Sequence, residues 1–406
     1  MRILISTIDA ASHLRVLAPV ALAALAGGHE VLVAAPAGLR HEAGAHGLDF
    51  APVGEDWTRD AVTVEAIGRQ LAFGAHRDYN STLVERVFLG EPALSAAADL
   101  QRLIRAWQPD VLLRVAEEFG GYLAAERAGL PHAAVASGYT HLLGPTAVRA
   151  PLRRLRERYG LPDTDAPDPY PWLLAAFTPP GYEDHPTPGT LRRYRQAQPD
   201  RAGERLPGWV GRLPSDRPLV FAAFGSVVPD VDWKMRPLAG TVLAALGALD
   251  CVAVVAAGST AANLHSGWEH VRVVDRVAQP LLLEAADLFV THAGFGSVRE
   301  GLRAGVPMMA VPVIGDEPYH ADRCARLGVA GVLPAANLRP QRLTAACADV
   351  LSTPSYREAA RVVQRRLLAL PPVDVLVADL VTLARTGRGP APAAQPVTAT
   401  FCGGFT

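Results

Sequence analysis

An α/β fold of two doubly wound, Rossmann-like domains in series is what this sequence predicts. Three observations carry that expectation. Short runs rich in Val, Ile and Leu alternate with stretches of helical spacing, the pattern of parallel βαβ units. The alternation fades near residue 142 and restarts at Pro218. The 406 residues, half of them apolar, exceed one ordinary core and suit two.

Residues 3–6 are a buried strand by length and branching, and 14–26 carry helical spacing that Gly27 and Gly28 close. A second strand spans 30–35. A long helix at 93–107 leads through Pro109 and Asp110 into a strand at 111–113, a helix at 119–128 capped by Gly129, and a strand at 132–136. From about 142 to 217 Pro, Asp and Arg accumulate, and the expectation is a linker preceded by helical pieces. The second half supplies strands at 219–224, 251–257, 271–274, 288–291 and 308–312, with helices between them, the first at 233–249. The expected division is a first domain over 1–200, its linker beginning near 176, a second domain over 201–386 and a flexible tail over 387–406.

Charge and composition exclude several classes. A net charge of −1 gives no electrostatic case for nucleic acid. The basic cluster at 149–158 reads as a solvated helix face. Cys251, Cys324, Cys347 and Cys402 are widely spaced, without a zinc pattern or a disulfide framework. The apolar run at the N-terminus is too short for a signal peptide or a membrane span, so a cytoplasmic location is expected. Asp163 with Asp165, and Asp230 with Asp232, match a metal-binding D-x-D tripeptide, but both sit in loop-like sequence and read as solvated turns.

The most informative segment is 287–305. A buried strand at 288–291 runs into Gly294 and Gly296, which relax the turn and let a ligand approach the backbone. Ser297 is a good N-cap for a helix that ends at Gly305. Free N–H groups and the dipole at that helix start favour an anion. His292 lies at the carboxyl end of the strand, where open α/β sheets bind ligands. The arrangement suits a diphosphate without requiring a metal. The plainer alternative is a tight βα turn with a capping serine and a surface histidine. The glycine spacing is not a dinucleotide fingerprint, and the first βα turn, at 6–13, has no glycine at all.

The neighbourhood of that segment resembles family 1 glycosyltransferases of GT-B architecture, especially the bacterial enzymes that glycosylate natural products. Their signature runs from a V-P-Q-like element through H-x-G-x-x-S-x-x-E to G-V-P-x-x-x-x-P and D-Q. This chain has Val277, Ala278 and Gln279, then His292, Gly294, Ser297 and Glu300, then Gly305, Val306, Pro307 and Pro312, then Asp316 and Glu317, with the spacing held. The resemblance extends over nearly the whole chain. It implies that His292 and Ser297 contact the diphosphate of a UDP- or TDP-sugar. It also implies that Glu300 accepts from the ribose, that Arg276, Val277 and Gln279 flank the base, and that Asp316 and Glu317 face the sugar. Gly225 and Ser226, after the first strand of the second domain, would lie over the phosphates. Arg276 stands where many members have an aromatic residue, and Glu317 replaces the common glutamine.

On its own His13 reads as a polar residue at a helix start. The resemblance makes it the general base, with Gly28, His29, Glu30 and Val31 completing the family's pattern after the helix. Members often place a carboxylate at the position held here by Val115, so the orienting acid is expected at Glu117, with Glu118 and Asp9 as rivals. The implied reaction is an inverting, metal-independent and cofactor-free transfer to a hydroxyl of a small hydrophobic or aromatic acceptor such as a polyketide. Tyr139, Tyr159, Tyr170 and Trp172 are candidates to stack on it. A non-catalytic partner protein and a sugar-nucleotide epimerase or hydrolase on the same scaffold stay open, as does a homodimer.

Overall fold

The computed structural model describes residues 1–56, 62, 64–67, 76–183, 188–196, 204–224, 232–258, 261, 264 and 266–390. The first half contains β1 (Arg2–Ser6), α1 (Ala11–Ala26), β2 (Glu30–Ala35), α2 (Arg40–Ala45), β3 (Phe50–Pro52), α3 (His76–Thr82) and α4 (Glu91–Trp107). It continues with β4 (Val111–Val115), α5 (Phe119–Ala128), β5 (His132–Val135), α6 (Pro145–Tyr159), β6 (Leu174–Ala176) and β7 (Leu191–Arg193). The seven strands form one parallel sheet in the order β3-β2-β1-β4-β5-β6-β7. Strands covered by helices on both faces read as near-continuous apolar runs, as residues 3–5 and 111–113 do.

The second half contains β8 (Leu219–Ala223), α7 (Asp232–Gly247), β9 (Val252–Ala256), β10 (Val271–Val274), α8 (Gln279–Ala285) and β11 (Leu288–Thr291). After these come α9 (Phe295–Ala304), β12 (Met308–Ala310), α10 (Glu317–Arg326), β13 (Ala330–Val332), α11 (Pro340–Ser352), α12 (Pro354–Leu368) and α13 (Val373–Thr386). Its parallel sheet runs β10-β9-β8-β11-β12-β13. Both sheets are doubly wound. The strand order reverses between β1 and β4 in the first and between β8 and β11 in the second, and open sheets bind ligands beyond the carboxyl ends of such strands. His13 and Glu117 follow β1 and β4, and His292 follows β11.

Two expectations need correction. The stretch read as a linker holds α6, β6 and β7, and both strands complete the first sheet. At three residues each they are too short for a period-two signal to register. The last helix, α13, lies within the range expected for the second domain but packs on the first. Val373, Leu376, Val377, Leu380 and Leu383 share a core with Leu14 and Leu17 of α1 and with Val111 and Leu113 of β4. Tyr194, just after β7, and Arg192, within it, fasten α13 through Asp379 at 2.5 and 3.1 Å. Among the described residues no helix is long and apolar enough to cross a membrane.

Candidate active site

The backbone before α1 is extended at Ala10, and no side chain caps the helix, so His13 enters as its third residue. The imidazole Nε2 faces Oε1 of Glu117 at 3.7 Å, longer than a hydrogen bond, and Ser12 Oγ lies 3.4 Å from Nδ1. Glu117 is fully buried. Burial alone would raise its pKa. The adjoining His13, the Ser137 hydroxyl donating to Oε2 and the Tyr139 N–H donating to Oε1 at 2.8 Å outweigh that and hold it below the ordinary carboxylate value.

Val115, at the position where family members often carry a carboxylate, ends β4 in the apolar core, so an acid there would be buried in it. Two residues on, the chain has left the strand and Glu117 reaches His13. Arg114, wholly buried, steadies this turn: its Nη1 donates to the carbonyls of Val115, Ala116 and Glu118 at 3.3, 2.9 and 3.2 Å. Glu118 caps α5, accepting from Gly121 N at 2.8 and 2.9 Å and from Ser6 Oγ at 2.6 Å. Asp9 is raised to about 6 by burial and by Asp56. Of the three carboxylates considered, Glu117 is the one set against the histidine.

On the second domain, the chain turns sharply after β11. Ala293 holds a φ of 66°, a left-handed conformation that costs an L-residue about 1–2 kcal/mol. Gly294 follows, and a Cβ there would lie 2.3 Å from His292 Nε2, so only glycine admits the ring. Gly294, not Ser297, is the N-cap of α9; the helix starts earlier than its serine suggested, and Ser297 is a buried residue of the first turn. No side chain caps α9, which leaves its first N–H groups for a ligand. His292 Nδ1 is buried without a hydrogen-bond partner among the described residues. Burial pushes the imidazole pKa down to about 4, against the weaker pull of Asp316 and the Ala223 carbonyl, so the ring is neutral near pH 7.

Gln279, at the start of α8, donates to Glu300 Oε2 at 2.7 Å and lies 3.5 Å from Ser297 Oγ. Burial raises the Glu300 pKa, with Gln279, Arg299 and Arg15 pulling it back. Arg15 stands on α1, two residues from His13, so the two walls are close enough to feel each other's charge. Val277 is half-buried against the second-domain core, and Arg276 is exposed. Gly225 and Ser226 lie outside the described residues. Glu317, expected at the sugar, is buried, and its Oε2 accepts from Val313 N at 2.6 Å and Ile314 N at 2.8 Å. That carboxyl fastens its own loop. Of the acceptor candidates, Tyr159 bonds to Ala97 O and Gln101, Tyr170 is buried, and Trp172 packs on the first core.

The two walls meet at the 137–141 loop, of which sequence reasoning singled out Tyr139 alone, as a candidate to stack on the acceptor. Asn80 on α3 donates to Gly315 O at 3.2 Å, and the His141 ring stacks on Tyr319 with centroids 3.8 Å apart. A Cβ on Gly138 would sit 2.1 Å from Asp316 Oδ2 and 3.0 Å from its Cγ. Gly138→Ala must therefore displace the carboxylate or part the walls. The expected result is a donor KM raised by roughly tenfold or more and a stability loss of about 1–3 kcal/mol, read by steady-state transfer and thermal unfolding. A variant with unchanged KM would show that this contact is dispensable.

Known proteins resemble the chain along most of its length. The family described as erythromycin biosynthesis protein CIII-like, C-terminal domain, matches residues 240–383. The 10-deoxymethynolide desosaminyltransferase of Streptomyces venezuelae is 28% identical over 432 residues, covering 96% of this chain and 99% of that protein. The aklavinone 7-beta-L-rhodosaminyltransferase of Streptomyces galilaeus is 28% identical over 410 residues, covering 89% and 90%. Among solved structures, glycosyltransferase VinC in complex with DTDP aligns with a TM-score of 0.75 at 26% identity, covering 95% of this chain and all of that one. SnogD, a glycosyltransferase from Streptomyces nogalater, aligns at 0.71 and 26%, covering 95% and 99%.

Proposed function

Starting from a glycosyltransferase of GT-B fold, similar to enzymes of natural-product biosynthesis, we propose that this chain moves a sugar from TDP or UDP to a hydroxyl of a small acceptor such as a polyketide or macrolide. The carrying observation is the pairing of His13 with the buried Glu117 on one wall, opposite an uncapped helix start and an orphaned His292 nitrogen on the other. The DTDP bound to VinC favours TDP as the carrier.

In this reading one nitrogen of His13 carries the proton toward Glu117, and the other takes the proton of the acceptor hydroxyl. The acceptor oxygen bonds to the anomeric carbon as the bond from that carbon to the diphosphate oxygen breaks. The displacement is single, so configuration inverts. Glu117 stabilises the imidazolium that forms. The diphosphate's charge is met by the N–H groups of α9, His292 and Ser297, so the reaction is proposed to run without a metal. Glu300, held by Gln279, accepts from the ribose, and Asp316 faces the sugar.

A panel of nucleotide sugars tests the reading. A donor at 100 times its dissociation constant should stabilise the fold by about 2.7 kcal/mol, and NMR of the product should show the inverted anomeric configuration. Failure of every TDP- and UDP-sugar to shift the melting curve would remove the donor assignment. Retained configuration would remove the single displacement.

A further inference from the structure

Beneath Asp316 lies a buried histidine that the reaction scheme does not use. His320, one turn along α10, is 2% exposed and bonds on both sides of the ring. Its Nε2 lies 3.1 Å from Asp316 Oδ2 and 3.0 Å from the Gly138 carbonyl, and its Nδ1 lies 2.8 Å from the Tyr182 hydroxyl. The Gly138 carbonyl and a carboxylate can only accept, so Nε2 carries a hydrogen. Nδ1 bonds to the Tyr182 hydroxyl. These partners fix the ring's orientation, and Phe295 packs against the ring with centroids 4.9 Å apart.

We propose that His320 is a positioning residue for the donor sugar: it fixes the direction of the Asp316 carboxylate and ties it to Gly138 of the opposite wall. The proposal rests on Asp316 facing the sugar. Asp316 heads α10 without capping it, its carboxylate bonds its own backbone N–H, and the Gly138 backbone closes one side of it. The Nε2–H of His320 adds the restraint that comes from beyond the residue itself. Gly138 lies between Ser137 and Tyr139, the two residues that hold Glu117, so a single loop touches both the sugar carboxylate and the base's orienting acid.

The test compares His320→Leu, which removes the donor, with His320→Gln, which keeps an N–H at similar reach, and with Asp316→Asn. Affinity for the bare nucleoside diphosphate is measured by calorimetry, and donor KM and kcat by transfer assays. His320→Leu should raise the donor KM roughly tenfold while leaving nucleoside diphosphate affinity within about twofold, the size of one charge-assisted hydrogen bond. His320→Gln should recover most of the loss. An unchanged KM in His320→Leu, an equal loss for bare nucleoside diphosphate, or a Gln variant no better than Leu would each overturn the proposal. Should the Leu variant not fold, Tyr182→Phe replaces it. That variant keeps the packing and frees Nδ1, and a donor KM that did not rise would count against the proposal in the same way. If Asp316→Asn leaves the donor KM unchanged, the sugar reading of Asp316 fails. If Asp316→Asn raises it and His320→Leu does not, only the role of His320 fails.

Discussion

His13→Ala should lower kcat by roughly 10²–10⁴-fold, the usual contribution of a positioned general base, with nucleoside diphosphate affinity unchanged. The separation follows from the architecture. His13 lies in the first turn of α1 in the first domain, whereas His292, Ser297 and Glu300 belong to the second domain. Truncating the imidazole removes the proton acceptor and leaves α9 intact. Glu117→Gln isolates the second half of the dyad. It keeps the size, and its amide can still meet Ser137 and Tyr139, but the charge that stabilises an imidazolium is gone. Its kcat should fall less than that of His13→Ala, by roughly 10–100-fold. Because the two groups act as a unit, the double variant should be little worse than His13→Ala alone. Single-turnover assays with saturating donor would read all three. Turnover untouched in His13→Ala would sink the base assignment and bring the non-catalytic partner reading forward.

How far the sequence could be read follows the physics of each signal. The strands around both switch points were legible because they are buried on both faces and so appear as apolar runs. The short edge strands β6 and β7 leave no such trace, and a Pro-rich stretch hid them. The nucleotide signature was legible as spacing, yet its geometry was not: Ser297 looks like a cap in one dimension, while the His292 ring demands glycine at 294 and moves the cap there. The carboxylate at 117 could be named only as one of three acids. What separates it from Glu118 is side-chain direction after the strand ends, and what separates it from Asp9 is tertiary contact. The roles of His320 and of the 137–141 loop, where only Tyr139 was named and for a different task, were out of reach, since they exist only where the two domains touch.

His292 should make both stability and donor affinity depend on pH below neutrality. In the folded chain its pKa is lowered to about 4 from the ordinary 6.5, chiefly by burial. Between those values the unfolded state binds the proton and the folded state does not, so folding stability is full above pH 6.5 and declines as pH falls. It levels off below about pH 4, where both states are protonated. The ceiling of this single contribution is about 3 kcal/mol. Denaturant titrations of the wild type and of His292→Gln across that window give the contribution as a difference in slope, and equal slopes would remove it. A diphosphate next to the ring reverses the balance. Its negative charge favours the imidazolium, so the bound complex should take up a proton between pH 4 and 6.5, and affinity should rise as pH falls there. Calorimetry in two buffers of different ionisation enthalpy measures that uptake directly. His292→Ala should abolish it and weaken binding at pH 7 by roughly 10–100-fold, the loss of a hydrogen bond to a charged group. Uptake that persists in His292→Ala would place the titrating group elsewhere. The same field bears on catalysis: under the proposed function a neutral His292 meets the diphosphate at pH 7 by hydrogen bonding alone and gains most when negative charge grows on the leaving oxygen, so its contribution should be larger in kcat than in ground-state binding.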